Sequence, residues 1–122
     1  MVLVVHTGAG APFALPSLFI APARKFPDLK IVIGHAGGGL YAGEAVIAAM
    51  VCQNVYVELS SLMPHHIAEV LSNVSTDRLM IGSDLPESLS TEIGKILSLD
   101  IDADKKQDIL WNTAALLLDG TF

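Results

Sequence analysis

The stretch VLVVHTGAG, residues 2–10, runs through four apolar residues, ends on His6 and then breaks into small residues and glycines. Val2, Leu3, Val4 and Val5 lack the polar alternation of a half-exposed strand. They predict a strand buried on both faces, as in a parallel sheet. The same punctuation returns along the chain. KIVIGH (30–35) leads into a glycine run, NVYVELS (54–60) ends near Glu58 and Ser60, and RLMIGSD (78–84) ends on Asp84. Between these runs lie LPSLFIAPARKF (15–26), LYAGEAVIAAMVCQ (40–53) and PHHIAEVLSNV (64–74), each long enough for a helix. Strands that alternate with helices in this way predict an α/β fold with a parallel sheet and right-handed crossovers.

Two further helices are expected at 88–99 and 102–118. Leu89, Ile93, Ile96 and Leu97 share a face of the first, and Ile109, Leu110, Ala114 and Leu117 share a face of the second. Asp102 or Asp104 suits the N-cap of the last helix. At 122 residues the chain is expected to be a single domain over 1–122.

Hydrophobic residues make up 52% of the chain and charged residues only 16%, so some apolar surface is expected to meet a partner. The net charge of −6 gives no basic field for nucleic acid or an anionic membrane. The single cysteine, Cys52, excludes an intrachain disulfide framework and fits a reducing, cytoplasmic setting. No run reaches the roughly 18 apolar residues of a membrane-spanning helix. The apolar N-terminus has no basic leader, and His6, Pro12 and Pro16 interrupt it, so it reads as mature structure rather than a signal peptide.

In parallel α/β folds, ligands bind beyond the carboxyl ends of the strands. His6, His35, Glu58 with Ser60, and Asp84 occupy those ends. Imidazole and carboxylate are the usual ligands of zinc and related ions, and the usual general acids and bases. Glu58 alternates with Val57 and Leu59, and is expected to point outward or to pair with a basic side chain. His65 and His66 open a helix, on adjacent positions that do not share a face, and are expected in solvent. Other motifs are weaker. GAGAPF resembles the start of a dinucleotide fingerprint, but Pro12 and Phe13 break it. GHAGGG lacks the Lys-Ser/Thr of a P-loop, and no serine sits in a nucleophile elbow.

Taken in order, VVHTGAG, FPDLKIVIGHAGG, NVYVELSS, DRLMIGSDLP and ILWNTAALLL resemble the C-terminal half of the amidohydrolase-2 family. Its members are metal-dependent (β/α)8-barrel hydrolases and decarboxylases, among them aminocarboxymuconate semialdehyde decarboxylase. The resemblance implies a (β/α)4 half-barrel equivalent to strands five to eight. It implies a small-molecule substrate and a divalent metal, zinc in the first instance. His6 would be the fifth-strand metal ligand. His35 would be the sixth-strand histidine beside the metal, acting as acid or base. Asp84 would be the eighth-strand aspartate, both a ligand and a catalytic group that manages the proton of a metal-bound water. Asp77, Arg78 and Asn112 match positions read as structural.

The resemblance also exposes a gap. Members of the family carry a His-x-His pair on the first barrel strand, and nothing here corresponds to it. A full barrel takes about 250 residues, and this chain supplies about half. His6 and Asp84 are two ligands where a catalytic zinc usually has three. The chain is therefore expected to be a fragment completed by an N-terminal half, a half-barrel that forms a homo-oligomer, or a non-catalytic module.

Overall fold

The structure, a computed structural model, describes residues 1–119. Four parallel strands form one sheet in sequence order: β1 (Val2–His6), β2 (Lys30–Gly34), β3 (Val55–Glu58) and β4 (Leu79–Met80). A 3-10 turn at Pro16–Phe19 runs into α1 (Ile20–Lys25), and α2 (Ala42–Val51) and α3 (Pro64–Leu71) make the next two crossovers. After β4 come α4 (Leu89–Leu97), α5 (Ala103–Gln107) and α6 (Thr113–Leu118). Parallel neighbours in consecutive order, each followed by helix, are the repeating unit of a (β/α) barrel. Four such units form an open half of one.

The register explains the core. Ile31 pairs with Val55, Ile33 with Val57, and Val57 with Leu79, so one face of the sheet carries a row of branched side chains. That face packs on Ala45, Ala48 and Ala49 of α2, Ile67 and Val70 of α3, Ile96 of α4 and Ile109, all in the buried cluster. The alanines of α2 let its backbone approach the sheet closely. Polar clamps hold the periphery. The Asn54 amide donates to the carbonyls of Ala23, Phe26 and Leu29, which fixes the turn that follows α1. Arg78 donates to the carbonyls of Ala49 and Cys52 at the end of α2. Arg78 is thus structural, as expected. Cys52 is a buried free thiol.

Three expectations are corrected. β1 is not buried on both faces: Leu3 is 42% and Val4 67% exposed, because β1 is an edge of the sheet and no strand pairs with its outer side. The strand expected at 78–84 shrinks to Leu79–Met80. Beyond it, the Ile81 amide donates to the Ile109 carbonyl and the Gly82 amide to the Glu58 carboxylate, so neither is free for a ladder. The shared apolar face expected on the first terminal helix is only partly buried. Ile96 is buried, but Leu89 and Leu97 are more than half exposed.

The last helix is also interrupted. A π-helical turn at Asp108–Asn112 separates α5 from α6. The extra residue per turn lets Asp108 accept hydrogen bonds from Asn112 and Thr76, while Thr113 donates to the Thr76 carbonyl. Asp102 takes the N-cap position but makes no side-chain cap bond. Among the described residues, no helix is long and apolar enough to cross a membrane.

The hydrogen bonds from Asn112 and then Thr76 hold the Asp108 carboxyl below its ordinary value of 3.8, against a smaller opposing effect of burial. A carboxyl lowered in the folded state stabilises above its unfolded pKa and loses that contribution as pH falls through the folded one. The loss should therefore fall below about pH 4. In thermal melts across that range, Asp108→Asn should melt lower than the parent at neutral pH and show a shallower acid decline. Identical pH profiles would contradict this anchoring role.

Candidate active site at the strand ends

The carboxyl ends of all four strands converge on one cleft of about 330 Å³, walled by His6, His35, Glu58, Ser60 and Asp84. A larger hollow of about 610 Å³ lies at the opposite end of the sheet, between Met1 and the turn after α1. Its lining includes Lys25 and Asp28 but no histidine.

Thr7 positions the first wall. Its buried hydroxyl donates to the Gly34 carbonyl at 2.7 Å and accepts from the Gly37 amide at 2.8 Å. This locks the end of β1 onto the loop after β2 and places the exposed His6 ring edge-on to His35, with centroids 5.1 Å apart. The intervening Gly34 must be glycine, since a Cβ there would lie 2.9 Å from the Val5 carbonyl oxygen.

Glu58 was expected to point outward or to pair with a basic side chain; it lines the cleft, where its Oε2 lies 3.9 Å from His35 Nδ1, and its closer partners are hydrogen-bond donors at the strand ends. Strand alternation puts it on the concave face, opposite the helix-packed row. Its Oε1 accepts from the amides of Ser60 and Gly82 at 2.7 and 2.8 Å, and its Oε2 from the His35 amide at 3.0 Å and the Ser60 hydroxyl at 2.9 Å. One carboxylate thus ties together the ends of β2, β3 and β4. Gly82 allows this approach, because a Cβ there would stand 2.9 Å from Glu58 Oε1. Ser60 in turn lies 2.9 Å from His35 Nδ1. The sequence signal for this pair was the Glu-x-Ser spacing, which returns both side chains to one side of an extended chain.

Asp84 stands across the cleft, half exposed, with Oδ1 3.7 Å from His35 Nε2. His35 and Asp84 both have left-handed backbones, with φ of 63° and 60°. The other positive-φ residues that are not glycine, Phe13, Ala36 and Ser61, also lie in loops that leave the strands' carboxyl ends. Such strain costs about 1–3 kcal/mol per residue and tends to gather where side chains must be aimed.

Two further residues were not anticipated. Glu92 of α4 is buried. It accepts from the Ser61 amide at 3.1 Å and pairs with Lys95 at 2.6 Å, while Lys95 donates to the Leu62 carbonyl. This pair braces the loop after β3. His66 is half buried rather than in solvent, because Gly39 leaves room for its ring: a Cβ at Gly39 would sit 2.6 Å from it.

The geometry brings His6, His35 and Asp84 together at one mouth. It does not make a complete metal site, since among the described residues no three His, Cys, Asp or Glu groups converge closely enough to hold an ion. His6 and Asp84 are the right donor types, but a catalytic metal needs more.

The family model described as "Amidohydrolase" matches residues 1–120. The chain belongs to the amidohydrolase family. Similar solved structures include a dihydroxybenzoic acid decarboxylase from Polaromonas sp. JS666 with bound manganese and the inhibitor 2-nitroresorcinol. It is 18% identical with a TM-score of 0.65, and the match covers 88% of this chain and 37% of that one. A second is 2,6-dihydroxybenzoate decarboxylase complexed with 2,6-dihydroxybenzoate, 17% identical with a TM-score of 0.62, covering 87% of this chain and 38% of that one. At these identities the likeness establishes a shared fold. This amidohydrolase chain spans less than two-fifths of the length of either enzyme. No curated protein matches its sequence.

Removing the Glu58 carboxylate orphans donors on three strand ends at once. Each partly buried donor left unpaired costs about 1–3 kcal/mol, and water can reach some of them. Glu58→Ala should therefore lose about 3 kcal/mol in urea unfolding. A loss below about 1 kcal/mol would mean that the carboxylate does not organise the strand ends.

Proposed function

We propose that this chain is the C-terminal half-barrel of a metal-dependent amidohydrolase-type hydrolase or decarboxylase that acts on a small carboxylated compound. The observation that carries the reading is the convergence of His6, His35 and Asp84 at the mouth of a parallel (β/α) sheet. His6 and Asp84 would supply part of the ligand set of a divalent cation. The manganese of the Polaromonas decarboxylase makes manganese as strong a candidate as zinc. Since the set is incomplete, the remaining donors must come from other strands, either a complementary N-terminal half or a second copy of this chain.

The chain's own contribution to the chemistry is proton management. His35 projects Nε2 toward Asp84 and the cleft, where it can give a proton to a substrate carbon or take one from an attacking water. Asp84 is placed to orient the same proton. The two dihydroxybenzoate decarboxylases favour an aromatic hydroxy-acid as the substrate class, with carbon dioxide as the product. A reducing, cytoplasmic setting fits the lone buried thiol of Cys52. One observation favours a second reading, a non-catalytic module that assembles with itself or a partner: no three metal-binding groups converge among the described residues.

In an assembled species that holds manganese or zinc, His6→Ala and Asp84→Ala should each weaken metal binding at least about tenfold. His35→Ala should retain the metal and lower carbon dioxide release from small hydroxylated aromatic acids by about 10²–10⁴-fold. Metal content and turnover, measured on the same preparations, check both. Unchanged metal in both ligand variants would contradict the assignment, and no turnover by the parent chain in any assembly would favour the second reading.

A further inference from the structure

The hydrogen bonds around His35 have a direction. The Glu58 carboxylate can only accept, so the Ser60 hydroxyl, 2.9 Å from Oε2, spends its one proton on Glu58. Turning that proton toward His35 would leave two acceptor oxygens facing each other at 2.9 Å. Toward His35 Nδ1, also 2.9 Å away, the Ser60 oxygen is therefore an acceptor, and Nδ1 must carry the proton. Carboxylates lie on both sides of the ring, Glu58 3.9 Å from Nδ1 and Asp84 3.7 Å from Nε2, so charge does not choose the tautomer and the hydrogen bond to Ser60 does. Ser60 is 1% exposed, which leaves little room for water to take over either bond.

We infer that Glu58 and Ser60 are positioning residues that fix the tautomer of His35, with Nδ1 always protonated and Nε2 left as the one ring nitrogen that exchanges a proton with the cleft. The Glu58–Ser60–His35 chain runs from the floor of the strand ends to the mouth. Each link is held by backbone as well: the amides of Ser60 and His35 both donate to the same carboxylate. In the neutral ring, the lone pair of Nε2 is on the side of the cleft where Asp84 stands, with Oδ1 3.7 Å away. In the charged ring, Nδ1 still donates to Ser60 and only Nε2 has gained a proton. The side chain keeps one orientation through a cycle of proton transfer, which is what a general acid or base requires. This deepens the acid/base role proposed for His35 and rests on it for its purpose, but the tautomer itself depends on the hydrogen bonds alone.

The test is the ring-nitrogen NMR spectrum of the full 122-residue chain, prepared with chelator and without substrate, with the His35 signals assigned by their loss in His35→Gln. In the neutral ring, Nδ1 should show the shift of a protonated nitrogen and Nε2 that of a bare one. Ser60→Ala should lose this preference and show an average of the two tautomers. A parent spectrum with the proton on Nε2 and Nδ1 bare would overturn the inference. So would an unchanged tautomer in Ser60→Ala, which would mean that Ser60 does not set it. Because neither metal nor turnover enters the measurement, failure of the metal-enzyme reading and failure of the relay are distinguishable.

Discussion

One carboxylate organises the working end of this half-barrel. Glu58 takes four hydrogen bonds from the ends of β2, β3 and β4. Backbone amides in strained loops would otherwise point into a cleft with few partners, and an unmet buried donor is expensive. By gathering them, Glu58 holds His35 in a left-handed conformation and draws the segment after β4 inward. That segment leaves the sheet after two residues, and the bend delivers Asp84 to the same mouth. The Thr7 clamp does the equivalent work on the other side, between β1 and the loop after β2.

The second constraint is an absence of neighbours. A closed barrel has no strand edges, but here β1 ends the sheet on one side and the two-residue β4 on the other. The consequences are visible in β1, whose Val4 faces the concave side at 67% exposure, in a position that a closed barrel would fill with side chains from facing strands. The same openness leaves His6 exposed and the proposed donor set of His6 and Asp84 incomplete. Fold and chemistry thus point to the same need: more strands beside β1 and β4.

Much of this was legible in the sequence. The apolar runs ending in His6, His35 and Asp84 marked the strands and the end of the sheet where these three side chains meet in one cleft, because burial on the sheet favours branched residues. The motif resemblance supplied the family, which spacing alone leaves open. Glu58 escaped because strand alternation says which face a residue is on, but not which face is concave, and its partners are backbone amides from 23 and 24 residues away. The length of β4 escaped for a related reason. RLMIGSD has strand character throughout, and only the tertiary competition of Ile109 and Glu58 for its amides ends the ladder. His66 was misplaced because the space it occupies is made by a distant glycine, Gly39.

The central claim is that this chain is an open half-barrel whose metal site is completed only by further strands. Native mass spectrometry on untagged protein supplied with manganese or zinc reads mass and bound metal in the same ion. The account predicts metal-free single chains, with tightly held divalent metal confined to species that contain a second copy or a complementary half. A single chain that retains a divalent ion tightly would contradict it, and so would an assembled species that never takes one up.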